Sequence, residues 1–178
     1  MKRPVLLVLL LTLAVPGLAL GQAQTAPPPK PGPEVQRLGY FVGTWTFVGE
    51  ILTDPKGKYE GTVTWEWLPG GFSVVGKSNG TAMSGSATSE RTTLSYSPTY
   101  KVYTWFTVSR GRLPDGGKSS VIGNVWTCEE EATVGDKPAK RRHTLTEVSP
   151  TSYSYKVERS VEGGPWTQTL DLKATKVK

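Results

Sequence analysis

Cysteine and histidine each occur once in the 178 residues, as Cys128 and His143. A lone cysteine excludes an internal disulfide, and a lone histidine with no second ligand cluster excludes the common zinc-site designs. The chain also lacks Gly-x-Ser-x-Gly, Cys-x-x-Cys, His-Glu-x-x-His and a phosphate-cradling glycine loop. Those absences remove the hydrolases, thiol oxidoreductases, metalloproteases and nucleotide enzymes that carry such motifs. Cys128 reads as a small, half-buried strand residue rather than a reactive thiol. The basic residues form no uncompensated face: they are scattered among acids, and Lys140-Arg141-Arg142 faces Glu129-Glu130-Glu131 across a turn. A nucleic-acid footprint requires such a face, so no nucleic-acid partner is expected.

Residues 1–23 have the layout of a secretory signal peptide. Lys2 and Arg3 precede the apolar run Val5 to Val15, then Pro16-Gly17, then a cleavage site at Gly21-Gln22-Ala23. The run is short for a membrane span, and no cysteine stands at the cleavage point to carry a lipid anchor. Removing the leader lowers the formal charge from +6 to +4. The sequence therefore points to a secreted or periplasmic protein with no membrane span after cleavage. Residues 24–33, with Pro27-Pro28-Pro29 and Pro31, read as an extended spacer, and residues 34–178 as one domain.

Pro33 to Leu38 offers one amphipathic helical turn, placed to plug a barrel end. From Thr44 onward the apolar period is two and turn signals recur at short intervals, the pattern of an all-β sandwich or barrel. Expected strands include Thr44 to Thr53, Tyr59 to Leu68, Arg91 to Ser97, Tyr100 to Val108, Ser119 to Glu130 and Lys140 to Val148. Gly80 to Ser89, small and polar, reads as a loop or lid, and Leu113 to Gly117 as a turn. A hairpin centred on Pro69-Gly70 sets Trp67 opposite Phe72, Trp65 opposite Val74 and Val63 opposite Gly76. One centred on Gly163-Gly164 sets Val157 opposite Leu170, Tyr155 opposite Leu172, Tyr153 opposite Ala174, Lys156 opposite Asp171, and Arg159 opposite Gln168. Successive antiparallel strands with short turns close most economically into a single up-and-down β-barrel of about eight to ten strands, which leaves no exposed edge.

Gly43-Thr44-Trp45 at the first strand's start resembles the Gly-x-Trp signature of the calycin barrels, the lipocalins and fatty-acid-binding proteins among them. The domain resembles, more closely, an exported bacterial family catalogued as domain of unknown function 1579. The matching residues are Val42-Gly43-Thr44-Trp45, Leu68-Pro69-Gly70-Gly71-Phe72, and Leu94-Ser95-Tyr96-Ser97-Pro98 with Tyr103-Thr104-Trp105. The resemblance implies a calycin-like barrel and no particular activity. It also implies a terminal arginine stacked on the first-strand tryptophan, where this chain has Lys173-Ala174-Thr175-Lys176.

Inward-facing Trp65, Trp67, Phe72, Tyr153 and Tyr155, with Arg159 and Gln168 at one end, form a candidate ligand-binding set. Apolar walls closed by a few polar groups suit a small amphiphile whose carboxylate pairs with Arg159. The plainer reading of the same aromatics is a barrel filled by its own side chains. Related nitrobindin-type barrels bind haem through one histidine. A symmetric Ser149-to-Ser152 turn sets Val148 opposite Tyr153 and points His143 outward, away from any haem, so no cofactor is expected. Cys128 falls opposite His143 if Gly135-Asp136 centres its hairpin, but no third group completes a dyad, and the pattern points away from an enzyme. The leading reading is an exported barrel that binds a small hydrophobic or amphiphilic ligand. The alternative is a cell-envelope interaction module with a filled barrel, working through outward residues such as Trp126 or the Gly80-to-Ser89 loop.

Overall fold

The computed structural model describes residues 30–81, 87–111 and 113–177. The leader and all but the last residues of the proline-rich spacer, residues 1–29, lie outside the described residues, as do residues 82–86 of the expected lid. A five-residue helix α1 (Pro33–Arg37) runs into a 3-10 turn (Leu38–Tyr40), and ten strands follow. They are β1 (Gly43–Ile51), β2 (Gly57–Trp67), β3 (Ser73–Thr81), β4 (Ala87–Ser97), β5 (Val102–Ser109), β6 (Asp115–Ile122), β7 (Val125–Val134), β8 (Lys137–Ser149), β9 (Ser152–Val161) and β10 (Thr167–Lys176). Every strand pairs antiparallel with its sequence neighbours, and β1 pairs with β10 to close the barrel. The up-and-down barrel expected from the period of two is the fold observed. Three features differ: Gly80 to Thr81 and Ala87 to Ser89 belong to strands, β6 begins at Asp115 inside the expected turn, and the single strand expected from Ser119 to Glu130 is instead parts of β6 and β7, joined by a tight turn at Gly123-Asn124.

The Gly163-Gly164 hairpin has the expected register, with Val157, Tyr155, Tyr153 and Lys156 opposite Leu170, Leu172, Ala174 and Asp171. A bulge between Gln168 and Leu170 then sets Arg159 opposite Thr167 and Gln168 opposite Glu158, so Gln168 leaves the inner row. At the β2–β3 hairpin the turn is wider than Pro69-Gly70 alone, and Leu68 N–H donates to Ser73 O (2.8 Å). Trp67 therefore lies opposite Val74, Trp65 opposite Gly76 and Val63 opposite Ser78. The shift is two residues, so each side chain keeps its face.

The β8–β9 hairpin corrects the expectation most. Ser149 pairs with Ser152, but a bulge at Val148 intervenes and Glu147 pairs with Tyr153, Leu145 with Tyr155 and His143 with Val157. One extra residue exchanges the faces of a strand. His143 and Glu147 turn into the barrel, and Val148 turns out, 67% exposed. Trp126, opposite Leu145 on β7, is likewise inward and buried rather than outward.

The plug is built from Val35, Leu38 and Phe41, all buried. Trp45 is fully buried beneath it, and its Nε1–H donates to Phe41 O (2.6 Å). Gly43, at φ +118, makes the bend that delivers Trp45 to this position. Lys176 places Nζ 4.9 Å from the Trp45 ring and donates to Tyr40 O (3.2 Å), so a lysine supplies the cation on the first-strand tryptophan.

Candidate functional site

The barrel interior divides into two compartments along its axis. Next to the plug, aromatic rings fill the space. Trp45 packs on Tyr153 with centroids 5.0 Å apart, Phe41 on Trp65 (5.6 Å) and on Trp126 (5.1 Å), and Tyr103 on Trp126 (4.7 Å). Glycines on neighbouring strands make room for these rings: a Cβ on Gly76 would meet three Trp65 ring carbons at 2.7–2.8 Å. The polar edges are mostly satisfied. Trp126 Nε1–H donates to Glu147 Oε1 (2.6 Å), and Tyr40 Oη–H to the carbonyls of Ser152 (2.9 Å) and Ser149 (3.1 Å). Burial, and then the Glu147 charge, push the Tyr40 phenol up to about 12, and burial raises Tyr153 further.

Toward the opposite end the inner rows of β4 to β9 carry polar side chains, while those of β1, β2 and β10 stay apolar, with Phe47 packed on Tyr59 (5.1 Å) and Leu170 nearby. Glu130, its side chain 8% exposed, accepts from Arg141 Nη1 at 2.8 Å through Oε1. His143 Nε2 lies 3.2 Å from that oxygen, and His143 Nδ1 lies 2.5 Å from Tyr155 Oη. One tautomer satisfies both bonds: Nε2–H donates to Glu130, and Tyr155 donates to Nδ1. Burial favours a protonated Glu130, but the His143 hydrogen bond and charge, followed by Arg141, outweigh it and hold the carboxyl below its usual range. Burial, with the neighbouring acids, drives the Tyr155 phenol well above its ordinary value. Cys128 does lie opposite His143, but Trp105 Nε1–H occupies its sulfur (2.8 Å) and burial pushes the thiol up. Thr92–Thr107 (2.7 Å) and Ser109–Glu90 (3.1 Å) continue the polar lining.

The candidate set from the sequence does not assemble as one wall. Trp65 and Tyr153 belong to the aromatic compartment, while Tyr155 carries its hydroxyl to the polar one. Arg159 stands half-buried on the inner row opposite Arg141, and Gln168 is outside it. Trp67 (38% exposed) and Phe72 (41%) lie at the plugged rim, the Trp67 ring against Gly39. An open cleft of about 450 Å³ flanks α1 beside the ends of β4, β5 and β6. Tyr96, Tyr103, Val102 and Val121 give it apolar walls, Ser119 and Ser120 hydroxyls, and Arg37 and Lys101 cations, with Glu34 at the edge. Arg37 is held by Glu147 (3.0 Å), Gly123 O (2.7 Å) and the Trp126 ring (5.5 Å). Arg37, Lys101 and Ser119 to Val121 are residues that the sequence reading did not select. The helical turn beside strand ends rich in tyrosine was the available signal.

Among the described residues no group of three or more histidine, cysteine, aspartate or glutamate side chains is arranged to hold a metal ion. No described helix is long and apolar enough to cross a membrane.

The model of a family described as a protein of unknown function (DUF1579) matches residues 30–176. Among solved structures, Rv2717c from M. tuberculosis aligns over 84% of this chain and all of its own, with a TM-score of 0.57 at 15% identity. The S-type phycobiliprotein lyase CPES from Guillardia theta aligns over 80% of this chain and 92% of its own, with a TM-score of 0.55 at 11% identity. At such identities these likenesses speak for the fold alone. No curated protein sequence matches significantly.

Proposed function

We propose a binding function for this chain, which belongs to the DUF1579 family: it holds a small amphiphilic anion in the cavity beside the plug. The carrying observation is that open cleft itself, about 450 Å³, whose tyrosine and valine walls are joined by serine hydroxyls, Glu34 and the two cations Arg37 and Lys101. The volume is in the range of small-molecule sites, and apolar walls with few convergent polar groups are their usual chemistry. The carboxylate that the sequence reading assigned to Arg159 is here received by Arg37 and Lys101, and the apolar part lies along Tyr96, Tyr103 and Val121. The protein is proposed to act after export, in the periplasm or outside the cell, as a carrier and not as an enzyme. In support, the thiol of Cys128 is masked by Trp105, and both nitrogens of His143 are engaged. Haem ligation finds no free nitrogen there, although the inward position of His143 removes the earlier geometric objection.

The test is native mass spectrometry of the protein purified from its host's envelope, with and without Lys101→Glu and Ser120→Trp. A stoichiometric acidic amphiphile, lost from either variant, is the expected result. A protein that is empty and takes up no decanoate overturns the reading. It would favour the second one, an envelope interaction module whose barrel is filled, which draws on the aromatic packing around Trp45.

A further inference from the structure

In an up-and-down barrel every second turn falls at the same end, so the turns β2–β3, β4–β5, β6–β7 and β8–β9 ring the plug together with the end of β10. Each of these five positions carries an exposed large apolar side chain. They are Phe72 (41%) with Leu68, Tyr100 (71%), Ile122 (81%), Val148 (67%) and Val177 (49%). Among the described residues of the opposite end the turns are mostly polar, with Asp54-Pro55-Lys56-Gly57, Gly135-Asp136 and Glu162-Gly163-Gly164, and Leu113 as the exposed large apolar side chain there. The apolar tips are interleaved with cations. Lys101 and Lys118 belong to the same end, and neither forms an ion pair among the described residues. Lys118 lies 5.4 Å over the Tyr100 ring. Among the described residues of this end, Glu34 is an acid that forms no ion pair.

We infer that the plugged end is a docking surface for an anionic lipid bilayer. Single apolar tips on separate turns do not make a continuous face for a folded partner. They suit a fluid interface, where each tip enters the acyl boundary independently and the lysines stay among the headgroups. Unpaired lysines beside the tips add attraction that depends on lipid charge and falls with salt. The bulge at Val148 contributes directly, because it turns that valine out to the rim. The cavity opens at this same end and shares Lys101 with it, but docking does not require the cavity to be occupied.

The test is co-sedimentation of residues 24–178 with vesicles of phosphatidylcholine alone or with phosphatidylglycerol added. Binding is expected on the anionic vesicles and should weaken with salt. Ile122→Ser with Val148→Ser, both at exposed tips, should lower partitioning about tenfold or more. Lys101→Gln with Lys118→Gln should lower it by a similar factor. Leu113→Ser, at the opposite end and 89% exposed, is the control and should leave it unchanged. Circular dichroism and melting curves confirm that each variant is folded. No binding to anionic vesicles, or equal loss in the Leu113 variant, overturns the inference. So does a lipid-free dimer dispersed by the Ile122 and Val148 changes, which would make the rim a contact between copies. A protein that binds vesicles yet carries no amphiphile separates this inference from the cavity reading.

Discussion

Trp45 and Glu130 lie on inner rows of one barrel, yet their surroundings differ in kind. Around Trp45 the interior is rings packed on rings, with glycines such as Gly76 recessed beneath them. Around Glu130 it is a chain of hydrogen bonds linking Arg141, His143 and Tyr155. The aromatic half gains from area removed from water, which is additive and tolerant of orientation. The polar half depends on its hydrogen bonds, since each member left alone bears its desolvation cost, as Glu130 Oε2, buried without a partner among the described residues, does. A barrel built this way is closed at one end by packing, and the cleft proposed to bind ligand lies beside the packed half, at the plug's flank.

The largest expected effect sharpens that contrast. Trp45→Ala should cost about 3–5 kcal/mol, as deletion of a buried tryptophan does, and urea denaturation measures it. Next, Gly76→Ala forces a methyl against the Trp65 ring and should cost about 1–3 kcal/mol. Gly117→Ala, whose Cβ would meet Trp105 Nε1 at 3.0 Å and Cys128 Sγ at 3.2 Å, should cost less. Equal costs at the two glycines would erase the difference in clearance between the ring-packed half and the polar one.

Titration probes the polar half. The Glu130 carboxyl is held below its unfolded value of 4.5, so its stabilisation is present above that pH and is lost as pH falls through the folded value. Acid denaturation of wild type should therefore steepen below about pH 4.5, while Glu130→Gln, about 1–2 kcal/mol less stable at neutral pH, should show a flatter acid limb. The tyrosines carry the opposite sign. Tyr40, Tyr153 and Tyr155 are raised above 10.0, so their contribution is full below that pH and declines as pH rises. Ultraviolet titration should leave these three phenols protonated at pH 11 until the barrel unfolds. Early, reversible titration of all seven tyrosines in the folded protein would contradict their burial.

Much of the fold was legible because alternation and turn chemistry agreed. At Gly163-Gly164 the two glycines specify a short turn, and the rows from Tyr153 to Val157 follow from it. The β2–β3 hairpin was displaced by two residues, which costs partners but preserves faces, so Trp65 and Val63 remained inside. The inward polar network was hidden by a single bulge. Nothing in Glu147-Val148-Ser149 announces an extra residue, and a one-residue slip carried His143, Glu147 and, through the correct Cys128–His143 pairing, Trp126 to the wrong face. The polar network and the plug-flank cavity are both products of long-range closure, and local pattern does not encode them.

Ligand is proposed to enter beside the plug and to leave the polar half untouched. The most direct measurement is a backbone amide NMR titration with decanoate. The account predicts shift changes clustered at Arg37, Tyr96, Lys101, Tyr103 and Ser119 to Val121, with Glu90, Glu130 and His143 unmoved. Changes centred on Glu130, His143 and Arg159 instead would contradict it and place the binding site in the polar compartment.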